Sequence, residues 1–360
     1  MKVSIIIVSV LIISFSVIIT HQAPLNNENT NSTDNNDSRK CNGYSEFCNR
    51  NYSSITFVGT HNSYASGSQA AANQVFDIPT QLKDGVRAFS LDGHYKNATD
   101  KTLEICHTSC GLLDAYSIVE GLKNFTTFLE NNPNEVITIF WENFDKITAS
   151  EYKDAYDQAD LTKYAYTPES TTEWPTLSSL IDSDKRLINF IDTGYDSKFE
   201  YVFETPFEVS SPDSFTCTID RPKGGLQRPM YLINHFVHNT VVIGGSDVEV
   251  AQISTANTTN SNNLKDHIEK CQTTFSRIPN FVLVDFYDKG IIDENGNNVN
   301  VFSVVADINN VTYVYKELGN DNNSSDKPKK NGGSRISDKL ISKNSMFALS
   351  VIIVFVIFGF

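Results

Sequence analysis

Seven short apolar runs in this chain end on, or lead straight into, a side chain that can move a proton or ligate a cation. "SITFVGTHN" (54–62) closes on His61 and Asn62, and "GVRAFSLDGHY" (85–95) carries Asp92. "LEICHT" (103–108) carries His107, "EVITIFWENF" (135–144) Glu142, and "RLINFID" (186–192) Asp192. "MYLINHFV" (230–237) holds His235, with His238 just beyond, and "NFVLVDFY" (280–287) holds Asp285. A single such ending means little. This many, gathered on one face of a closed sheet, would make a polar pocket with two imidazoles and several carboxylates, where acid–base chemistry near neutral pH is available.

The runs themselves say what positions these groups. They are rich in β-branched and aromatic residues, bounded by turn residues, and continuously apolar rather than alternating, which predicts strands of a parallel sheet buried on both faces. Gly59 in the first run predicts a close approach or a bend of the backbone. Between strands lie helical patterns. Residues 113–133 place Ile118, Leu122, Phe125 and Leu129 at intervals of three and four and stop at Pro133, and 150–161 and 176–184 are shorter candidates, whereas 193–229 carries no assignable pattern. Strands alternating with helices over roughly 41–317 fit one domain of the α/β class, a single (β/α) barrel whose chemistry sits where the strands end.

The ends of the chain read as processing signals. Lys2 followed by an apolar stretch predicts a secretory signal peptide over 1–23. At the other end, small residues at Asn331, Gly332 and Gly333 precede a polar spacer and an apolar tail from 346 to 360, the order of a GPI attachment signal with Asn331 as the attachment residue. Residues 24–40 and 318–345 are Asn-, Ser- and Asp-rich and predict a disordered leader and a polar stalk. Acceptors of the N-x-S/T type at Asn31, Asn36, Asn51, Asn97, Asn124, Asn257, Asn310, Asn322 and Asn323 fit the same compartment. So do six cysteines, which predict disulfides: local spacing suggests Cys41–Cys48 and Cys106–Cys110, leaving Cys217 with Cys271, out of fifteen possible connectivities. The formal net charge of −14 excludes nucleic acid as a partner.

The order and spacing of "SSITFVGTHNSY", "GVRAFSLDGHY", "LEICHTSC", "EVITIFWENF", "RLINFID" and "PNFVLVDFY" resemble the X region of phosphatidylinositol-specific phospholipase C, in particular the PLC-like phosphodiesterases secreted by fungi. The resemblance spans roughly 41–290. It implies a distorted TIM (β/α)8 barrel that cleaves a phosphodiester lipid or glycolipid at a membrane or cell surface. A monomer is the expected state of the chain. It also implies that His61 and His107 are the catalytic pair. Asp285, a third catalytic candidate, is expected either to orient His61 or to cap a following turn. In the metal-independent branch of that family an arginine stands where this chain has Asp92. In the calcium-dependent branch the corresponding residues match Asn62, Asp92 and Glu142, hard oxygen donors suited to Ca²⁺. This chain departs from that branch at Ser90, where the family has another acid, so Mg²⁺ or no metal is the alternative. No Lys or Arg falls at a headgroup position, and His94, Asp192, His235 and His238 are expected to be structural or substrate-lining. The competing reading is a degenerate barrel kept as a glycosylated surface or adhesion protein.

Overall fold

The computed structural model describes residues 39–319 apart from 69–70, 108–109, 111–113, 171, 195–200, 208 and 244–245. The signal peptide, most of the polar leader, all of the stalk beyond residue 319, Asn331 and the apolar tail lie outside the described residues.

Along the chain come β1 (Phe57–Thr60), α1 (Ile78–Asp84), β2 (Ala88–Tyr95), β3 (Leu103–Cys106), β4 (Asp114–Ser117), α2 (Ile118–Asn131), β5 (Ile137–Asn143), α3 (Ala149–Gln158) and α4 (Leu177–Asp182). They are followed by β6 (Leu187–Ile191), β7 (Val202–Glu204), β8 (Met230–Asn234) and a hairpin of β9 (His238–Ile243) with β10 (Ser246–Ala251). The short α5 (Ala256–Thr258) runs through a π turn into α6 (Leu264–Phe275), and β11 (Phe281–Val284), β12 (Gly290–Ile292), β13 (Asn298–Asn300) and α7 (Val301–Ile308) are the last elements among the described residues.

Seven strands pair in parallel in the order β6-β5-β2-β1-β11-β8-β7. The sheet curls on itself. Phe140 of β5 and Phe190 of β6 reach Phe281 of β11, three and four strands away, with ring centroids 4.9 and 6.2 Å apart. Among the described residues no ladder joins β6 to β7, and the gap is packed by the rings of Trp174, Phe190 and Tyr201. The fold is a distorted TIM-type (β/α) barrel. Gly59 is the close approach its position predicts: a Cβ there would stand 2.5 Å from Leu283 Cδ2 and 3.0 Å from the Ala88 Cβ, inside the ring.

Two expectations need correction. Residues 103–106 form a strand, but β3 lies antiparallel to the far end of β2 and outside the ring. The connection between them is only residues 96–102, which can make a hairpin and is too short for the crossover a parallel neighbour needs. The helical pattern of 113–133 starts late. Asp114–Ser117 pair with β3 as β4, and Ser117 then caps α2 by accepting from the Glu120 amide. From there Ile118, Leu122, Phe125 and Leu129 are all buried, as their spacing requires, and the helix ends at Asn131, short of Pro133. All three disulfides join the expected partners, Cys41–Cys48, Cys106–Cys110 and Cys217–Cys271.

Candidate active site

The carboxyl ends of the ring strands open into a cavity of about 640 Å³. His61, Asn62, Asp92, His107 and Glu142 all line it, with Ser90, Asp192 and His238.

His61 stands at the end of β1 because the turn that follows is locked. Asn62 takes a left-handed φ of 42°, a conformation that Asn adopts more readily than most residues. The Ser63 hydroxyl donates to the Thr60 carbonyl, and Gln81 holds the turn by donating to the Ser63 carbonyl at 2.7 Å. The His61 backbone is fixed from both sides, its N–H donating to Val284 and its carbonyl accepting from the Gln74 side chain. Its ring lies flat on Phe236, with centroids 3.8 Å apart, and its Nδ1 sits 2.9 Å from Asp285 Oδ1. Asn73 donates to both oxygens of that carboxylate at 3.2 Å. Asp285 therefore stands where it can orient His61. Burial alone would lower the His61 pKa, but the charge and hydrogen bond of Asp285, with Asp92 and Glu142 behind them, outweigh it and hold the imidazole above its ordinary value.

His107 follows β3 and is fixed by the Cys106–Cys110 disulfide. Burial, aided by His61 and His94, pushes its pKa down to about 4. Asp92 and Glu142 are register partners on the adjacent strands β2 and β5. Burial first, then the charges of Glu142 and Asp192, push Asp92 up to about 7, against the pull of the Tyr64 hydroxyl, which donates to Asp92 Oδ2 at 2.8 Å. Asp192 accepts from the Asn143 amide. His94 is buried beneath Phe144 and paired with Asp145, outside the cavity lining.

Several site residues carry no signal in the sequence. Asn73 and Tyr64 lie in turns without a pattern, and Phe236 reads as one more apolar residue. Arg221 and Glu204, both in the cavity wall, fall in 193–229, where no element is predictable. Arg221 Nε is 2.6 Å from Glu204 Oε1, and its Nη1 is 3.4 Å from Glu142 Oε2. Arg221 is thus a cationic side chain in the cavity wall, at a position that no sequence pattern marks.

His235, a strand-end candidate, turns away from the cavity. It is fully buried, with Nδ1 2.9 Å from His267 Nδ1 and Nε2 2.9 Å from the Thr259 carbonyl. His267 lies against the Cys217–Cys271 disulfide; both sulfurs are tied up in that bond, so this grouping is no metal centre. Burial lowers the His235 pKa well below the ordinary value, with His267 adding to it, and burial pushes His267 down to about 4. The unfolded chain binds protons at these imidazoles near pH 6.5, so between about 6.5 and 4 it holds more protons than the folded chain. The stability they contribute is present above that window and lost as pH falls through it. Urea unfolding at pH 7 and 4.5 should show wild type losing about 2–3 kcal/mol more than His267→Gln over this interval; parallel losses would contradict the assignment.

Comparison with known proteins identifies the family of the chain. The PI-PLC X 1 family model matches residues 47–300. The PI-PLC X domain-containing protein 1 of Arthroderma benhamiae is 36% identical over 272 residues, covering 69% of this chain and 86% of that protein. An uncharacterized secreted protein of the same fungus is 34% identical over 304 residues, and the match takes in 78% of this chain and 66% of the relative. Among solved structures, the phosphatidylinositol-specific phospholipase C of Listeria monocytogenes aligns with a TM-score of 0.49 at 15% identity, over 74% of this chain and 96% of that one. The family match runs from before His61 to beyond Asp285 and so takes in every ring strand that carries a cavity residue; this chain belongs to the PI-PLC X domain family.

Proposed function

We infer that this chain is a phospholipase C-like phosphodiesterase of the secretory pathway, cleaving phosphatidylinositol or a related phosphodiester lipid or glycolipid. The observation that carries the reading is the His61–Asp285 pair, opening onto a cavity that His107 also lines. With Nδ1 directed at Asp285, the neutral His61 ring has Nε2 as its basic atom, and Asp285 stabilises the imidazolium that forms when it takes a proton. A hydroxyl of the headgroup gives that proton to His61 as its oxygen bonds to phosphorus. The bond from phosphorus to the glycerol oxygen breaks, and His107 delivers a proton to the departing alkoxide, leaving a cyclic phosphate and diacylglycerol. Burial favours the neutral form of His107, and an anionic phosphate beside it would raise its proton affinity, so that it would reach its donor form with substrate in place.

Asn62, Asp92 and Glu142 fit a hard divalent cation: all three line one cavity, and two carboxylates stand side by side with Asp92 held high by burial and neighbouring acids, a cost that a cation would relieve. Bound there, Ca²⁺ would offset charge developing on the phosphate. The predominance of acids in the wall speaks against headgroups with additional phosphates. The GPI signal at Asn331 supports an anchor at the outer cell surface. The acceptors Asn51, Asn97, Asn257 and Asn310 are exposed, which suits glycosylation.

The test is release of cyclic inositol phosphate from phosphatidylinositol vesicles, followed by phosphorus NMR. Turnover should fall at least about tenfold with a chelator and return with Ca²⁺. Activity untouched by chelation would remove the metal from the site, and a folded protein inert towards several phosphodiesters would remove the enzyme.

A further inference from the structure

The cavity wall carries Asp92, Glu142, Asp192, Glu204 and Glu249, and among the described residues lining it the one Arg or Lys is Arg221. We propose that Arg221 is a substrate-binding residue, its guanidinium taking a non-bridging oxygen of the scissile phosphate from the β7 side of the ring. The inference rests on the phosphodiester reading above and adds to it the residue that makes an acidic pocket hospitable to an anion.

The backbone of Arg221 is pinned beside β7, where its carbonyl accepts from the Glu204 amide at 2.8 Å and the Glu204 carbonyl accepts from the Asp220 amide at 2.9 Å. The side chain is pinned as well. Glu204, itself buried, lies in ion-pair contact with Nε, Nη1 donates to Glu142 Oε2, and the guanidinium carbon stands 4.7 Å from the centre of the Phe207 ring. Such a group is preorganised: its fork is aimed before substrate arrives, and little rotamer freedom is lost on binding. A guanidinium carries five N–H donors, so it can hold two carboxylates and still donate to a phosphate oxygen. The two carboxylate contacts are unequal, with Glu204 at 2.6 Å and Glu142 at 3.4 Å. The longer one, on the cavity side of β5, is the contact a phosphate oxygen would share. Unlike the histidines, the guanidinium stays charged at every accessible pH.

The experiment measures binding of a non-hydrolysable phosphonate analogue of phosphatidylinositol in mixed micelles, alongside kcat and KM on vesicles. Arg221→Gln should weaken analogue binding about 10- to 100-fold and lower kcat/KM by at least as much, as expected for losing a charged hydrogen bond. Arg221→Lys should recover part of both. Because Arg221→Gln removes a charge partner of buried Glu204, the double variant Arg221→Gln/Glu204→Gln serves as the folded control and should show the same loss. Wild-type affinity and kcat/KM in either folded variant overturn the proposal while leaving the enzyme reading intact. Analogue binding that depends on Arg221 in a protein that turns nothing over would do the reverse. Failure of the wild-type protein to bind the analogue overturns both.

Discussion

Replacing His61 with alanine should lower kcat on phosphatidylinositol by about 10³-fold or more, within the range that a positioned acid or base contributes. The loss should fall on kcat rather than KM, because the ring is needed when the headgroup hydroxyl gives up its proton. His107→Ala should cost a similar factor, and the double variant little more than either single, since the two rings serve one displacement. Asp285→Asn is the informative companion. It keeps the shape but removes the charge that stabilises imidazolium and offers an amide where His61 needs an acceptor, so it should lose less than His61→Ala yet move the pH dependence. With Asp285 intact the His61 pKa is raised; without its charge the pH profile should shift downward. Thermal unfolding should show a folded His61→Ala protein with a lowered Tm, because the ring's contact with Phe236 and its bond to buried Asp285 are lost. A His61→Ala protein within tenfold of wild type would remove this residue from the chemistry.

Removing the Cys217–Cys271 bond should be the most destabilising change among the three disulfides. It closes a segment of 54 residues, whereas the other two close 7 and 4. By loop-closure entropy the long bond contributes about 4 kcal/mol and the short ones about half as much. For a domain of this size, Cys217→Ala/Cys271→Ala should lower Tm by roughly 10 °C in calorimetry. Function should suffer too, because Arg221, Asn234, Phe236 and the β9–β10 hairpin, which supplies His238, Thr240 and Glu249 to the cavity, all lie within the closed segment. A loss no larger than that of Cys41→Ala/Cys48→Ala would show that the segment is held by its packing instead.

What the sequence disclosed and what it hid divide along physical lines. Six of the seven ring strands were legible because burial on both faces leaves an uninterrupted apolar run, and α2 was legible because one buried face imposes a period; β7, three residues long inside 193–229, was not. The catalytic candidates were legible as polar residues interrupting those runs, and His61, Asn62, Asp92, His107 and Glu142 do converge on one cavity. His235 looked the same in sequence yet faces inward, because its backbone N–H donates to Leu283 and its ring is claimed by His267 and Thr259. No local pattern encodes that choice. Arg221 was hidden for a different reason. It is delivered by an irregular segment held through a backbone bridge to Glu204 and a ring contact with Phe207, partners set by tertiary packing alone. The antiparallel β3 and the late start of α2 show the same limit, since strand pairing there overrides helical spacing.

The pairing of β1 with β11 sets Phe57 against Phe281 and Thr60 against Val284, joining positions 224 residues apart. During synthesis the first strand must therefore wait for nearly the whole domain to emerge before its outer neighbour exists, and closing so long a span is slow. Asp285 arrives on the strand that completes the ring, so the His61–Asp285 contact is among the last to form. A nascent or truncated chain ending before residue 281 carries the imidazole without its carboxylate. The dyad thus doubles as a completion mark, present only in molecules whose two ends have already met.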